Sequence, residues 1–206
     1  MIGLAAYAGA KIPHAPVVQV TAWNPAETGN LTLSLSNYLA TCTAVGVAVS
    51  NGANSKSSGL WYAEILCGGT GFAGSSHSPS LGVCRPGTGS PGFTTLVGAG
   101  LTSWGILSTG LKRNNGAAAA YGSSFTTGDT VGIAINLTSG KVWFSKNGSW
   151  QNSGDPAAGV NEAYSGVTGP LVLEFSSNDD ARPSGLIRSI SGSCVYAPPS
   201  GFSLWG

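Results

Sequence analysis

Charged residues are scarce in this chain: Asp, Glu, Lys and Arg make up 8% of its 206 residues, against about 25% in an average globular protein. The net charge is +1, and only Lys112 and Arg113 among the nine basic residues are adjacent. Because nucleic-acid binding needs a clustered basic surface, no nucleic-acid partner is expected. A nearly uncharged surface also does little to keep copies apart, which favours a homo-oligomer or another assembly.

Long apolar runs and metal-binding motifs are missing as well. No run approaches the roughly 20 apolar residues of a membrane-spanning helix, so no membrane insertion is expected. The four cysteines form no CxxC pair, and there are only two histidines, so we expect neither a metal site nor a cofactor. Buried thiols are the simplest interpretation of the cysteines, and one or two disulfides stay open. They are Cys42, Cys67, Cys84 and Cys194.

Short strand-like segments separated by turns run through most of the chain, which contains 32 glycines. Residues 31–36 alternate strictly between apolar and polar, and residues 130–137 place four aliphatic side chains on one face. Asn24-Pro25 and Thr28-Gly29 are expected to break the chain, and Asn147-Gly148 favours a tight hairpin turn. The other predicted strands are residues 17–23, 45–49, 60–66, 81–84, 103–107, 141–145, a strand at Trp150, 171–175 and 193–196.

The pattern predicts an all-β protein, because many short strands with glycine-rich turns are typical of a sandwich or barrel and no helical period appears. Hydrophobic residues make up 42% of the chain, enough for a core. One domain over residues 17–206 is expected, since single β-sandwiches commonly reach about 200–250 residues. Residues 1–16 are small, apolar and interrupted by prolines, which predicts an extended N-terminal arm.

The sequence contains few arrangements of titratable side chains that are typical of an active site. Glu64 and Glu174 lie within predicted strands and are the one pair that a β-sandwich glycosidase could use across a cleft. Neither has a second carboxylate two residues away, and a strand glutamate is usually solvated or paired with Lys or Arg. His14 lies in the arm, His77 lies in a serine-rich loop, and no GxSxG motif is present. No catalytic residue is therefore predicted.

Asn114, Asn115, Tyr121 and Trp150 are the candidate binding residues, because they lie beside glycine-rich turns. Aromatic rings at such positions stack on sugars or anchor protein interfaces, and asparagine amides supply hydrogen bonds. Packing beneath a loop is the alternative for each of them.

Residues 128–148, with the sequence GDTVGIAINLTSGKVWFSKNG, resemble the most characteristic stretch of SPRY domains. Residues 59–64 (GLWYAE), 81–84 (LGVC) and 103–105 (SWG) are similar to further segments of that family, and the resemblance extends over residues 23–205. It implies an antiparallel β-sandwich, a concanavalin-like jelly roll with binding loops at one end. It also implies a non-catalytic domain that binds proteins or peptides.

Two further segments, residues 152–159 and 196–202, resemble SPRY-like domains of bacteriophage structural proteins. This resemblance implies a non-enzymatic virion protein of a tail fibre, spike, head fibre or decoration, assembled in the host cytoplasm. Its arm would dock to other virion proteins, it would form a homo-oligomer (a trimer is the expectation), and its loops would contact a neighbouring subunit or a host-surface glycan or protein. A carbohydrate-binding, lectin-like module is the second hypothesis, and a glycoside hydrolase is the third.

Overall fold

The structure, a computed structural model, describes residues 21–50, 54–72, 79–87, 96–177 and 182–206, with side chains for all of these except residues 44–50. Thirteen strands and no α-helix lie in these ranges. The strands are Trp23–Ser34 (β1), Leu39–Ser50 (β2), Leu60–Gly69 (β3), Ser80–Cys84 (β4), Ser103–Leu107 (β5), Leu111–Asn114 (β6), Ala117–Ala120 (β7), Thr130–Asn136 (β8), Lys141–Lys146 (β9), Ser149–Trp150 (β10), Val172–Ser177 (β11), Pro183–Arg188 (β12) and Ser203–Leu204 (β13). A 3-10 turn over Gln151–Ser153 follows β10.

The strands form two sheets that share β2. Through Leu39–Thr41, β2 pairs with β12, and through Gly46–Val49 it pairs with β11. The first sheet therefore has the order β10-β9-β8-β3-β12-β2, and the second has the order β2-β11-β4-β5-β6-β7. All pairs are antiparallel except that of β13, which joins β3 in parallel. The predicted all-β antiparallel sandwich is confirmed.

The core lies between the sheets, because successive side chains on a strand point to opposite faces and every second one reaches this space. Ala63 and Ile65 on β3 share one buried cluster with Leu173 and Phe175 on β11. Burial of each large apolar side chain stabilises the fold by about 1.5–3 kcal/mol. The largest fully buried side chains of the protein are Trp23, Trp143, Trp205, Tyr62, Phe144 and Phe175.

A second apolar cluster covers the outer face of the first sheet. Tyr62, Ala134, Trp143 and Phe202 form it, and Trp150 packs at its edge. Residues 189–206, here called the C-terminal strap, supply its cover. The strap returns to the sheet as β13, and the ring of its Trp205 enters the main core. The last residues of the chain are thus part of both layers.

The structure corrects the predicted strands at several places. β1 continues through Asn24-Pro25 and Thr28-Gly29, because register shifts against β2 absorb these residues as bulges. Residues 193–196 are not a strand, since they lie in the strap and Val195 is largely exposed. The neighbouring strand Pro183–Arg188 was missed because its proline and glycine obscure the alternation. The short strands β6, β7 and β13 were not predicted either. Residues 1–20, which include most of the predicted first strand, lie outside the described residues, and so does His77.

The meander β8-β9-β10 has the register that its turns demand. Ile133 pairs with Phe144, and Lys146 with Ser149 across the Asn147-Gly148 turn. Both turn residues have positive φ, 49° at Asn147 and 79° at Gly148, as a primed hairpin turn requires. The ring of Tyr196 from the strap lies on this turn, where a Cβ added at Gly148 would come 2.6 Å from its Cδ1.

Gly148→Ala is expected to destabilise the protein more than Gly159→Ala. Both glycines have similar positive φ, 79° and 73°, but a Cβ at Gly159 would meet nothing within 4 Å. Backbone strain alone costs about 1 kcal/mol at either site, and the clash with Tyr196 should add at least about 1 kcal/mol at Gly148. Urea unfolding of both variants measures the difference, and equal losses would contradict the packing of the strap on the turn.

Candidate functional site

The side chain of Glu64 is fully buried on the outer face of the first sheet, beneath the strap. Its carboxylate accepts hydrogen bonds from the backbone amides of Val195 and Tyr196, both at 2.8 Å, and from the hydroxyl of Tyr62 at 2.9 Å. Burial, and then the charge of Glu64, raise the pKa of the Tyr62 hydroxyl. The carboxylate is therefore an acceptor that holds the strap, and the interpretation of a solvated or Lys- or Arg-paired glutamate is wrong here.

Glu174 is buried on the outer face of the second sheet, with 3% of its surface exposed. Ser103 Oγ donates to its carboxyl at 2.7 Å and accepts from the backbone amide of Gly98 at 2.6 Å. Burial raises the pKa of Glu174 to about 7, against the opposing effects of hydrogen bonds from Ser103 and Cys84 and of the Arg113 charge. The expectation of a solvated strand glutamate is wrong here as well.

The two carboxylates do not form a pair across a cleft. They belong to different sheets and contact different chain segments. Glu64 bonds Val195 and Tyr196, whereas Glu174 bonds Ser103. In the part of the chain that the structure describes, no group of three His, Cys, Asp or Glu residues could hold a metal ion. None of the four cysteines forms a disulfide, and burial raises the pKa of the Cys194 thiol to about 11.

The predicted binding residues separate into two pairs at opposite ends of the β6-β7 hairpin. Asn114 and Asn115 are at its turn, whereas Tyr121 follows its other end. The Asn114 amide donates to the carbonyl oxygens of Leu101 at 3.2 Å and Ser103 at 2.7 Å, so it holds the preceding chain segment. Asn115 has a positive φ of 51°, which the turn requires. The structure thus gives both asparagines a role in shaping the local backbone.

Tyr121 and Trp150 line one open cleft of about 510 Å³, here called the Trp150 cleft. Gln151 joins its two walls, since its side-chain oxygen accepts from the Ser123 amide at 2.7 Å and its nitrogen donates to the Ser149 carbonyl at 3.0 Å. The Tyr121 ring is 7% exposed and packs edge-on against Phe144, so Tyr121 is mainly a core residue. Burial raises its pKa to about 12. The indole of Trp150, half-buried against Tyr62, is the accessible ring.

A second cleft of about 410 Å³ lies at the opposite end of the sandwich and is here called the Arg85 cleft. The Arg85 guanidinium donates to Thr168 Oγ1 at 2.6 Å across it, and Leu101, with 69% of its surface exposed, forms a wall. Asn114 is the one predicted residue that lines it. Sequence reasoning missed Arg85 and Leu101 because they lie in irregular segments. A leucine that follows two glycines, outside any alternating segment, was the one available signal in the sequence.

Residues 60–175, more than half of the chain, match the SPRY domain. The chain therefore belongs to the SPRY family. Among solved structures it is similar to the crystal structure of the SPRY domain of human HERC1, with a TM-score of 0.64 and 16% sequence identity. That match covers 82% of this chain and 99% of the HERC1 chain, and at this identity it shows the fold alone. In the described residues no helix is long and apolar enough to cross a membrane.

Glu64→Ala is expected to lower the free energy of unfolding by at least about 3 kcal/mol, because two backbone amides and a phenol lose their buried acceptor. The strap should also become susceptible to chymotrypsin at Tyr196. Glu162→Ala is the control, since it breaks only a partly exposed pair with Lys141 and should cost at most about 1 kcal/mol. Equal stability and equal cleavage in the two variants would contradict the role of Glu64 as the anchor of the strap.

Proposed function

We propose that this chain is a non-enzymatic binding module of a bacteriophage virion that mediates assembly, attachment to the host surface, or both. Membership of the SPRY family supports the non-enzymatic part, since the domains of this family bind proteins and peptides. The same part is supported by Glu64 and Glu174, the candidate catalytic carboxylates, because each is buried as a hydrogen-bond acceptor. A glycoside hydrolase needs such groups exposed on the two sides of a sugar.

The virion setting is supported by sequence resemblance. Residues 152–159 and 196–202 are similar to segments of phage structural proteins. The first follows the Trp150 cleft, and the second belongs to the strap that packs on the Asn147-Gly148 turn. Low charge supports contact with neighbouring subunits, as in a homo-oligomer. In this proposal residues 1–16 dock to other virion proteins and the end clefts face a subunit or the host.

Deletion of residues 1–16 is expected to abolish incorporation into particles and to leave the domain folded. The deleted segment precedes the first described strand, so the circular dichroism spectrum and the melting temperature should be retained. Mass spectrometry of particles assembled with the tagged full chain or with the deleted chain measures incorporation. A folded, truncated protein that still enters particles would contradict docking through the arm. Absence of the full chain from particles would contradict the virion assignment itself.

Binding of a host-surface glycan is the second candidate function, and the Trp150 cleft favours it. An accessible indole beside amide and hydroxyl groups is a suitable surface for a sugar ring, which presents C–H bonds to the aromatic face and hydroxyls to the amides. Gln151 is already engaged by Ser123 and Ser149. The exposed Asn152, with a positive φ of 53°, is therefore the polar side chain that we expect to contact such a ligand.

Trp150→Ala is expected to weaken glycan binding by up to about tenfold, because one stacked ring contributes about 0.5–1.5 kcal/mol. A glycan array followed by titration of the best ligand provides the measurement. Trp104→Ala is the matched control, since Trp104 is also half-buried but lines the Arg85 cleft. If no glycan binds the wild-type protein at high micromolar concentration, the lectin-like hypothesis is wrong.

A further inference from the structure

A row of four residues crosses the outer face of the second sheet. In register, Glu174 on β11 pairs with Gly82 on β4, Gly82 with Gly105 on β5, and Gly105 with Arg113 on β6. Directly opposed residues of an antiparallel pair point to the same face. The row is therefore a slot, with an acid at one end, a guanidinium at the other and two glycines as its floor.

Residues 96–100, here called the flap, fill this slot. The Val97 side chain is fully buried and lies on Gly105, where an added Cβ would come 2.2 Å from Val97 Cγ1. The Val97 amide donates to Ser176 Oγ at 2.8 Å, and the Val97 carbonyl accepts from Arg113 Nε at 2.9 Å. Gly105 at the floor is thus required for the flap to reach the sheet.

The acid end of the slot is joined to the flap through one side chain. Ser103 Oγ lies 2.7 Å from Glu174 and 2.6 Å from the Gly98 amide, so the carboxyl, the hydroxyl and the flap backbone form one chain of hydrogen bonds. We propose that the flap is a pH-sensitive cover of the second sheet, held closed while Glu174 is protonated and released when Glu174 ionises.

The charged and titratable groups around Glu174 determine the direction of this switch. Arg113 on β6 and the Cys84 thiol on β4 are the groups that act on it. The segments 44–50 and 88–95 contain no ionisable residue. Burial dominates and raises the pKa of Glu174 from 4.5 to about 7. The closed form therefore retains the proton between these pH values, and its stability relative to the open form falls as the pH rises through this window.

Release of the flap would alter the Arg85 cleft, since the flap leads directly into Leu101 and Thr102, which line that cleft. Flap opening breaks the contacts of Val97 and Gly98 and exposes Glu174 to water, whereas Asn114 holds the backbone at Leu101 and Ser103. The switch is a property of the free domain, so it goes beyond the proposed function and does not depend on any partner.

Amide hydrogen exchange of the flap tests the switch directly, because the Val97 and Gly98 amides are protected by Ser176 and Ser103. After division by the intrinsic rates, exchange of residues 96–100 should rise roughly 25-fold between about pH 5.5 and about pH 8. Glu174→Gln, a neutral analogue of the protonated acid, should abolish this rise and keep the flap closed. Glu162→Gln, which changes a partly exposed carboxylate, should behave as the wild type.

Gly105→Ala provides a second, independent variant, since its methyl group displaces Val97 from the slot. Its flap amides should exchange rapidly at both pH values. The proposal is overturned if the flap of Glu174→Gln retains the pH dependence of the wild type. It is also overturned if exchange in the wild type rises equally in the β3 and β8 amides, because ionisation would then unfold the whole domain rather than open the flap.

Discussion

Three hydrogen bonds to one buried carboxylate hold the C-terminal strap on the first sheet. Glu64 accepts hydrogen bonds from the amides of Val195 and Tyr196 and from the hydroxyl of Tyr62. Burial of any of these donors without an acceptor would cost free energy of folding. The anchored strap then covers the outer cluster of the first sheet and brings Trp205 into the core, where its indole donates to the Asn54 carbonyl at 2.9 Å. Much of the first sheet is thereby closed on both faces.

The second sheet uses a buried glutamate in a related way. Glu174 reaches the flap through Ser103, whereas Glu64 contacts the strap backbone directly. In this chain, which has few charges, a buried carboxylate on the outer face of a sheet is the hydrogen-bond acceptor that holds an irregular segment against that sheet. Both glutamates are thereby removed from the surface. The Trp150 cleft is lined by aromatic, amide and hydroxyl groups, whereas the Arg85 cleft also presents a guanidinium and the exposed Leu101.

Sequence alone predicted the elements whose signal is local. β3, β8 and β9 follow from alternation, and the Asn147-Gly148 turn follows from two residues that tolerate positive φ. Residues 193–196 were wrongly predicted as a strand because their sequence alternates as a strand does. β12 was missed, since Pro183–Arg188 is a strand through its pairing with β2 and β3 rather than through a local pattern. The breaks predicted in β1 failed for a related reason, since pairing with β2 outweighs local turn preference. Among the candidate binding residues, the fold brought Tyr121 and Trp150 together and separated them from Asn114 and Asn115.

By itself, then, the sequence determined the class of the fold, its core pattern and its tightest turns, because hydrophobic period and backbone preference act over a few residues. The tertiary structure alone decided the roles of the buried glutamates. Glu64 meets Val195 across 131 positions of the chain, and Glu174 meets Ser103 across 71. No local pattern encodes such contacts, since whether a strand glutamate faces water or a covering segment depends on where a distant part of the chain returns to the sheet.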